Sequence, residues 1–167
     1  MEARRLSPAP APPFQLSLRV RHPSLDPTDL SRELGIEPVH SFRAGDPRPV
    51  RSTRTSTSVH AESYWLGMLG SPEWPLAVPF GQSFVKGAEE RLRSTAISSF
   101  GGALWLAVVR FLHVHGQLLR RIRAEGGQVS LLLAIAPVSA HGLTVAPEIS
   151  RVLSELGVAL ELEFVSD

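Results

Sequence analysis

Cysteine is absent from the chain of 167 residues, which excludes disulfide scaffolds, thiolate metal sites and cysteine nucleophiles. Lysine is nearly absent, since Lys86 is the single lysine beside 16 arginines. A strong net charge is also missing, and the formal value of +1 weakens a role in nucleic-acid binding. The chain does have a hydrophobic fraction of 43%, which excludes general disorder, and a length that suits one domain.

Long hydrophobic runs are missing as well. The longest apolar stretches are Ala103–Val109 and Leu131–Val138, well short of the roughly 20 residues that span a bilayer. No apolar segment follows the arginines near the N-terminus. In addition, four prolines within residues 8–13 would break the helix of a signal peptide. We therefore expect a cytoplasmic protein with no membrane partner.

The proline-rich start and the remainder of the chain differ in composition. Residues 1–13 are rich in proline and alanine, so we expect them to form a flexible leader. Residues 14–167 are expected to form a single domain.

Alternating hydrophobic residues predict strands near both ends of the chain. Phe14–Arg21 places an apolar side chain at every second position, and Val158–Val165 does the same. Gln128–Ala136 is apolar almost throughout, which is typical of a central strand buried on both faces. Two further strands are expected at Ile36–Phe42 and Glu62–Leu69.

Capping signals and helical spacing predict helices between these strands. Asp26 caps a short helix that ends at Gly35. The longest helix is expected over Ala103–Ala124, where Gly116 allows a bend, and another over Pro147–Leu156. The predicted fold class is therefore α+β: a largely antiparallel sheet with helices packed mainly on one face, in the order β-α-β-β-α-β-α-β.

Charged residues alternate with the apolar ones on the first and last strands. Arg19 and Arg21 are on the first strand, and Glu161 and Glu163 are on the last. If both strands belong to one sheet, these charges share its outer face. We therefore expect ion pairs between strands.

The usual signatures of catalysis and metal binding are lacking. The sequence has no GxSxG, P-loop, GxGxxG, EF-hand or HExxH pattern. His113 and His115 are two residues apart, which on a helix separates them by about 200° and prevents joint binding of one ion. We therefore expect no catalytic residue, no metal and no cofactor.

A basic segment at residues 43–60 is the most distinctive polar feature. It contains Arg43, Arg48, Arg51 and Arg54 together with six serines and threonines, and we expect a mobile loop. Four arginines in one loop can bind phosphate or the acidic surface of another protein.

Aromatic residues suggest an interface near this loop. Tyr64 and Trp65 are neighbours on a strand, so only one of them can face the core. Trp74 lies in a proline-rich segment, and aromatic side chains of this kind are frequent at interfaces. The leading hypothesis is therefore a non-enzymatic module that binds another protein through the four arginines and Trp74.

Two alternatives stay open. The first is a small ligand-binding domain or hydrolase with a pocket near His22, Asp26, Arg43 and Tyr64, although Asp26 is also explained as a helix cap. The second is binding of RNA or DNA through the arginine-rich loop, which the near-neutral charge disfavours.

Several motifs carry a resemblance to a known family. They are the early blocks His22–Pro27, Leu34–Pro38 and Ser41–Arg48, in which proline and glycine recur in order, and the more generic later blocks Glu62–Trp65 and Pro147–Leu162. On these residues the chain resembles the domain of unknown function 4279 family of mostly bacterial proteins, over about residues 14–165. The family has no assigned activity, and small bacterial proteins of this kind often act as immunity proteins. The resemblance therefore implies a toxin as the partner.

Overall fold

The computed structural model describes residues 14–48, 58–69, 100–135, 145 and 147–164. They form five strands and four helices. The strands are β1 (Phe14–His22), β2 (Pro38–Phe42), β3 (Ser63–Met68), β4 (Gln128–Ile135) and β5 (Ala159–Phe164). The helices are α1 (Pro27–Leu34), α2 (Phe100–Val114), α3 (Gly116–Ala124) and α4 (Pro147–Leu156). The expected leader at residues 1–13 lies outside the described residues.

The five strands form one mixed sheet in the order β2-β3-β1-β4-β5. Strand β1 pairs antiparallel with β3 and with β4, and β2 pairs antiparallel with β3. Strand β5 lies parallel to β4. The predicted α+β class and largely antiparallel sheet are therefore confirmed. The first four strands have the split β-α-β-β-α-β arrangement, to which α4 and β5 add a parallel extension.

The observed order differs from the prediction at one point, because the expected long helix is two helices. The chain leaves the helical conformation at His115, whose φ and ψ are −97° and 9°. The imidazole of His115 packs on Phe111 with ring centroids 4.6 Å apart. Gly116 is buried, and a Cβ there would lie 3.4 Å from Cδ2 of Leu156 on α4. The break therefore occurs where α4 packs closely on the helical layer.

The helices cover one face of the sheet, as predicted. The inner face of β1 presents Leu16, Leu18 and Val20, which are fully buried. They belong to one hydrophobic core with residues of β4 and of all four helices. Within the described residues, no helix has the length and apolar character that a membrane span requires.

Trp65 shows how alternation on β3 selects one aromatic residue for the core. Trp65 is buried on the inner face, whereas its neighbour Tyr64 is half-buried on the outer face. The Trp65 indole Nε1 donates a hydrogen bond of 2.9 Å to Oγ of Ser31 on α1. Gly67 leaves room for this indole, because a Cβ at residue 67 would lie 2.7 Å from Cζ2 of Trp65. The expectation that only one of the two aromatic residues faces the core is therefore correct.

The charge pairing expected on the outer face is present in part. Arg19 Nη1 lies 2.5 Å from Oε2 of Glu161, although β4 separates the two strands. Arg21 instead approaches Glu62, with Nη1 and Oε1 3.9 Å apart. The long side chain of Arg19 therefore reaches across β4 to Glu161 on β5.

Candidate functional site

The candidate site lies at the end of the sheet where β1 finishes, and His22 is its buried anchor. The imidazole Nδ1 accepts hydrogen bonds from the backbone N–H groups of Ser24 and Leu25, at 3.1 and 2.8 Å. Because Nδ1 is an acceptor, the ring proton is on Nε2, which lies 3.5 Å from Oε2 of Glu125. His22 is 4% exposed, and its two hydrogen bonds to the backbone hold the turn after β1 in a fixed geometry.

Asp26 and Arg43 form a separate contact beside this turn. Asp26 is the N-cap of α1, and its Oδ1 accepts a 2.8 Å hydrogen bond from the backbone N–H of Thr28. Its Oδ2 lies 2.6 Å from Nη2 of Arg43. The pKa of Asp26 lies below its ordinary value, mainly because its carboxylate accepts the Thr28 N–H hydrogen bond. The positive charge of Arg43 lowers this pKa further. Arg43 is therefore occupied by the helix cap.

The two ends of the basic segment pair with each other. Gly45 N–H donates to the His60 carbonyl at 2.8 Å, and His60 N–H donates to the Asp46 carbonyl at 2.9 Å. Arg48 N–H donates to the Ser58 carbonyl at 3.1 Å. These bonds extend the β2–β3 hairpin beyond the sheet and fix the backbone of Arg48 and His60. The mobility expected for residues 43–60 stays a prediction, since residues 49–57 lie outside the described part of the chain.

Four rings form an aromatic cluster on the outer face next to this extension. The aromatic cluster consists of His40, Phe42, His60 and Tyr64. Phe42 is at its centre and stacks on His60 with centroids 3.6 Å apart and planes at 22°. Phe42 also stacks on Tyr64, at 5.2 Å and 13°, and His40 meets Phe42 edge-on at 5.7 Å. The ring of His60 is therefore held by the side chain beneath it.

An open cavity of about 360 Å³ lies between the aromatic cluster and the end of β1. Its wall combines arginines, a carboxylate, imidazoles and one benzyl ring. Its lining residues include Arg21, His22, Phe42, Arg48, His60, Glu62 and Gln128. We call this space the end-of-sheet cavity. Its ionised side chains are two arginines and one glutamate, so the wall favours an anion.

Of the four residues that the sequence predicted as one pocket, only His22 lines the end-of-sheet cavity. His22 lines the end-of-sheet cavity, but Asp26 and Arg43 pair with each other and are not among its lining residues. Tyr64 stacks on Phe42 and is not a lining residue either. The structure therefore brings Asp26 and Arg43 together, and a shared pocket of all four residues stays a prediction.

The residues predicted to bind a protein are also only partly accounted for. Arg48 lines the end-of-sheet cavity and is exposed, whereas Arg43 pairs with Asp26, the N-cap of α1. Arg51, Arg54 and Trp74 lie outside the described residues.

Sequence reasoning missed the contribution of Arg21, Phe42 and His60 to this cavity. Arg21 was recognised only as an outer-face charge, and His60 only as a loop residue. The strand alternation of Phe42 and Tyr64 is visible in the sequence. That these rings face each other follows from the β2–β3 register, in which the two residues are partners.

Among the described residues, no three His, Asp or Glu side chains come together in a way that could hold a metal ion. Comparison of the sequence with protein-family models, with curated proteins and with solved structures finds no match.

Proposed function

We propose that this protein is a binding module whose end-of-sheet cavity takes a small organic anion. The observation that carries the proposal is that Arg21, Arg48 and His60 line one cavity of about 360 Å³. Ligand cavities commonly measure about 300–1,000 Å³ and combine apolar or aromatic walls with a few polar groups. This cavity is at the small end of that range and therefore suits a ligand of metabolite size.

The charges of the wall support an anionic ligand. Arg21 lies 3.9 Å from Glu62, and both side chains are about half exposed, so this ion pair is loose. A phosphate or carboxylate that enters the cavity would give the Arg21 guanidinium a shorter, charge-assisted partner. Arg48 is exposed on the same wall and adds a second guanidinium.

The backbone around the cavity supports binding with little rearrangement. His22 fixes the turn after β1 through two backbone hydrogen bonds, and the paired ends of the basic segment fix Arg48 and His60. Groups that are held before the ligand arrives lose less conformational entropy on binding. The cytoplasmic location expected from the sequence belongs to the same proposal.

Isothermal titration calorimetry with ribose 5-phosphate and with citrate tests the proposal. We expect at least one of them to bind native protein, and the double variant R21Q/R48Q to bind it at least about tenfold more weakly. The matched control is R120Q/R151Q, which removes two exposed arginines from α3 and α4 and is expected to bind like native protein. Absence of binding by both compounds at millimolar concentration would contradict the proposal.

A protein partner is the second candidate function, and the exposed edge of the sheet supports it. Among the described strands, β2 has a neighbour on one side only, and Val39 on this edge is 61% exposed. An exposed apolar edge strand can pair with a strand of another protein. The resemblance to the domain of unknown function 4279 family, with a toxin as the implied partner, belongs to this candidate.

Affinity purification with native protein and with V39K tests the second candidate. A stoichiometric partner that is recovered with native protein and lost with V39K supports pairing at β2. Equal recovery with both proteins contradicts it. The quadruple variant in which Arg43, Arg48, Arg51 and Arg54 become alanine tests the arginine-rich loop in the same experiment.

A further inference from the structure

The ring of His60 indicates what kind of anion the end-of-sheet cavity suits. One face of this imidazole is covered by Phe42, at a centroid distance of 3.6 Å, and the half-buried residue also lines the cavity. A planar ring that is supported from behind offers a stacking surface to a ligand. Stacking on such a surface is favourable for any nucleobase because every base has a π face.

Charged and polar residues line the same cavity as His60. Arg21 and Arg48 supply two guanidinium groups, whose forked donors match the oxygens of a phosphate. Glu62 supplies an acceptor for hydroxyl or amino groups, and Gln128 supplies both a donor and an acceptor. The wall therefore offers a stacking surface, a phosphate-binding pair and a polar edge.

From this combination we infer that the end-of-sheet cavity binds a nucleoside monophosphate unit, with the base on His60 and the phosphate between Arg21 and Arg48. The inference rests on the proposed binding of an organic anion and narrows it to one class. The cavity of about 360 Å³ has room for one such unit rather than for a stretch of nucleic acid. The unit comes either from a free nucleotide or from the phosphorylated end of a single strand.

Calorimetric titration of native protein with adenosine 5′-monophosphate and with ribose 5-phosphate tests the inference. The two probes share the sugar phosphate and differ in the base. We expect the monophosphate to bind at least about fivefold more tightly, because a stacked base contributes that much or more. Equal affinity of the two probes would overturn the inference and leave the proposed anion binding intact. Absence of binding by both probes and by citrate would overturn both.

Variants of the ring decide whether stacking causes the preference. H60A is expected to remove the difference between the two probes, and H60W is expected to keep it. H40A is the matched control, since His40 belongs to the aromatic cluster but is not a lining residue of the cavity. If H60A keeps the full preference for the monophosphate, His60 is not the stacking surface and the inference fails.

A 5′-phosphorylated hexanucleotide distinguishes the two sources of the unit. Binding of the hexanucleotide at least about tenfold more tightly than the free monophosphate identifies the end of a strand as the ligand. Weaker binding identifies the free nucleotide. Either result supports the inference, whereas equal binding of a hexanucleotide without the 5′-phosphate contradicts the role of Arg21 and Arg48.

Discussion

On β1, Leu16 and Leu18 face the helices and are at most 2% exposed, whereas the outward side chains of Arg19 and Arg21 are 20% and 46% exposed. Both sets come from the same strand and differ only in the direction of alternate residues. From Leu16 to Val20 the inward side chains of β1 are apolar and belong to the hydrophobic core. The outer face consists of specific pairs, such as Arg19 with Glu161 and Phe42 with Tyr64. Stability is therefore concentrated on one face and chemical variety on the other.

Substitution of Leu18 by alanine is expected to give the largest difference in stability between the two faces. Leu18 is fully buried in the middle of the inner face, between β3 and β4. Loss of a buried leucine side chain is expected to lower the free energy of unfolding by about 2–5 kcal/mol. The outer-face variant R21A is expected to change it by about 0.5 kcal/mol or less. Urea denaturation measures both, and similar losses would contradict the division between the faces.

The substitution G67A tests how tightly the inner face is packed. An added Cβ would overlap the buried Trp65 indole, which is held by its hydrogen bond to Ser31. We expect a loss of about 1–3 kcal/mol in urea denaturation, because the indole cannot move without losing that bond. The control is G116A, whose added Cβ would lie 3.4 Å from Leu156 and would favour the helix. A loss for G116A as large as that for G67A would refute this explanation.

The inner face was largely predictable from the sequence, and particular residues show why. Alternation marked Leu16, Leu18 and Val20, because a strand buried on one face requires a period of two. Gly35 was recognised as a helix end, and its φ of 66° and the hydrogen bond from Ile36 N–H to the Ser31 carbonyl agree with that assignment. These features depend on nearby residues only.

The end-of-sheet cavity was not predictable in the same way. It depends on which residues of β2 and β3 are partners in the sheet, and on the backbone hydrogen bond between His60 and Asp46 at the two ends of the basic segment. Hydrophobic periodicity likewise did not predict that Arg43 pairs with the capping carboxylate of Asp26. Strand register and side-chain pairing of this kind depend on contacts between residues distant in sequence, and hydrophobic periodicity does not predict such contacts.

The helical layer that covers the inner face is expected to make stability depend on pH, through His115. Burial against Phe111 lowers the pKa of His115 from its ordinary value of 6.5. The unfolded chain therefore takes up this proton before the folded protein does, so stability falls as the pH drops below about 6.5 and levels off below the folded pKa. Urea denaturation between pH 8 and pH 5 measures this, and H115Q is expected to lose that part of the dependence. An unchanged dependence in H115Q would contradict the assignment.

The smallest expected effect concerns the ion pair of Arg19 and Glu161 on the outer face. A double-mutant cycle with R19A and E161A is expected to give a coupling of about 0.2–1 kcal/mol, decreasing in high salt. The comparison pair is Arg32 with Asp29 on α1, at the same distance of 2.5 Å but with side chains 74% and 52% exposed. The side chains of Arg19 and Glu161 are only 20% and 41% exposed, so water screens their attraction less. A coupling for Arg19 and Glu161 no larger than that for the α1 pair would mean that the sheet surface adds nothing to the attraction.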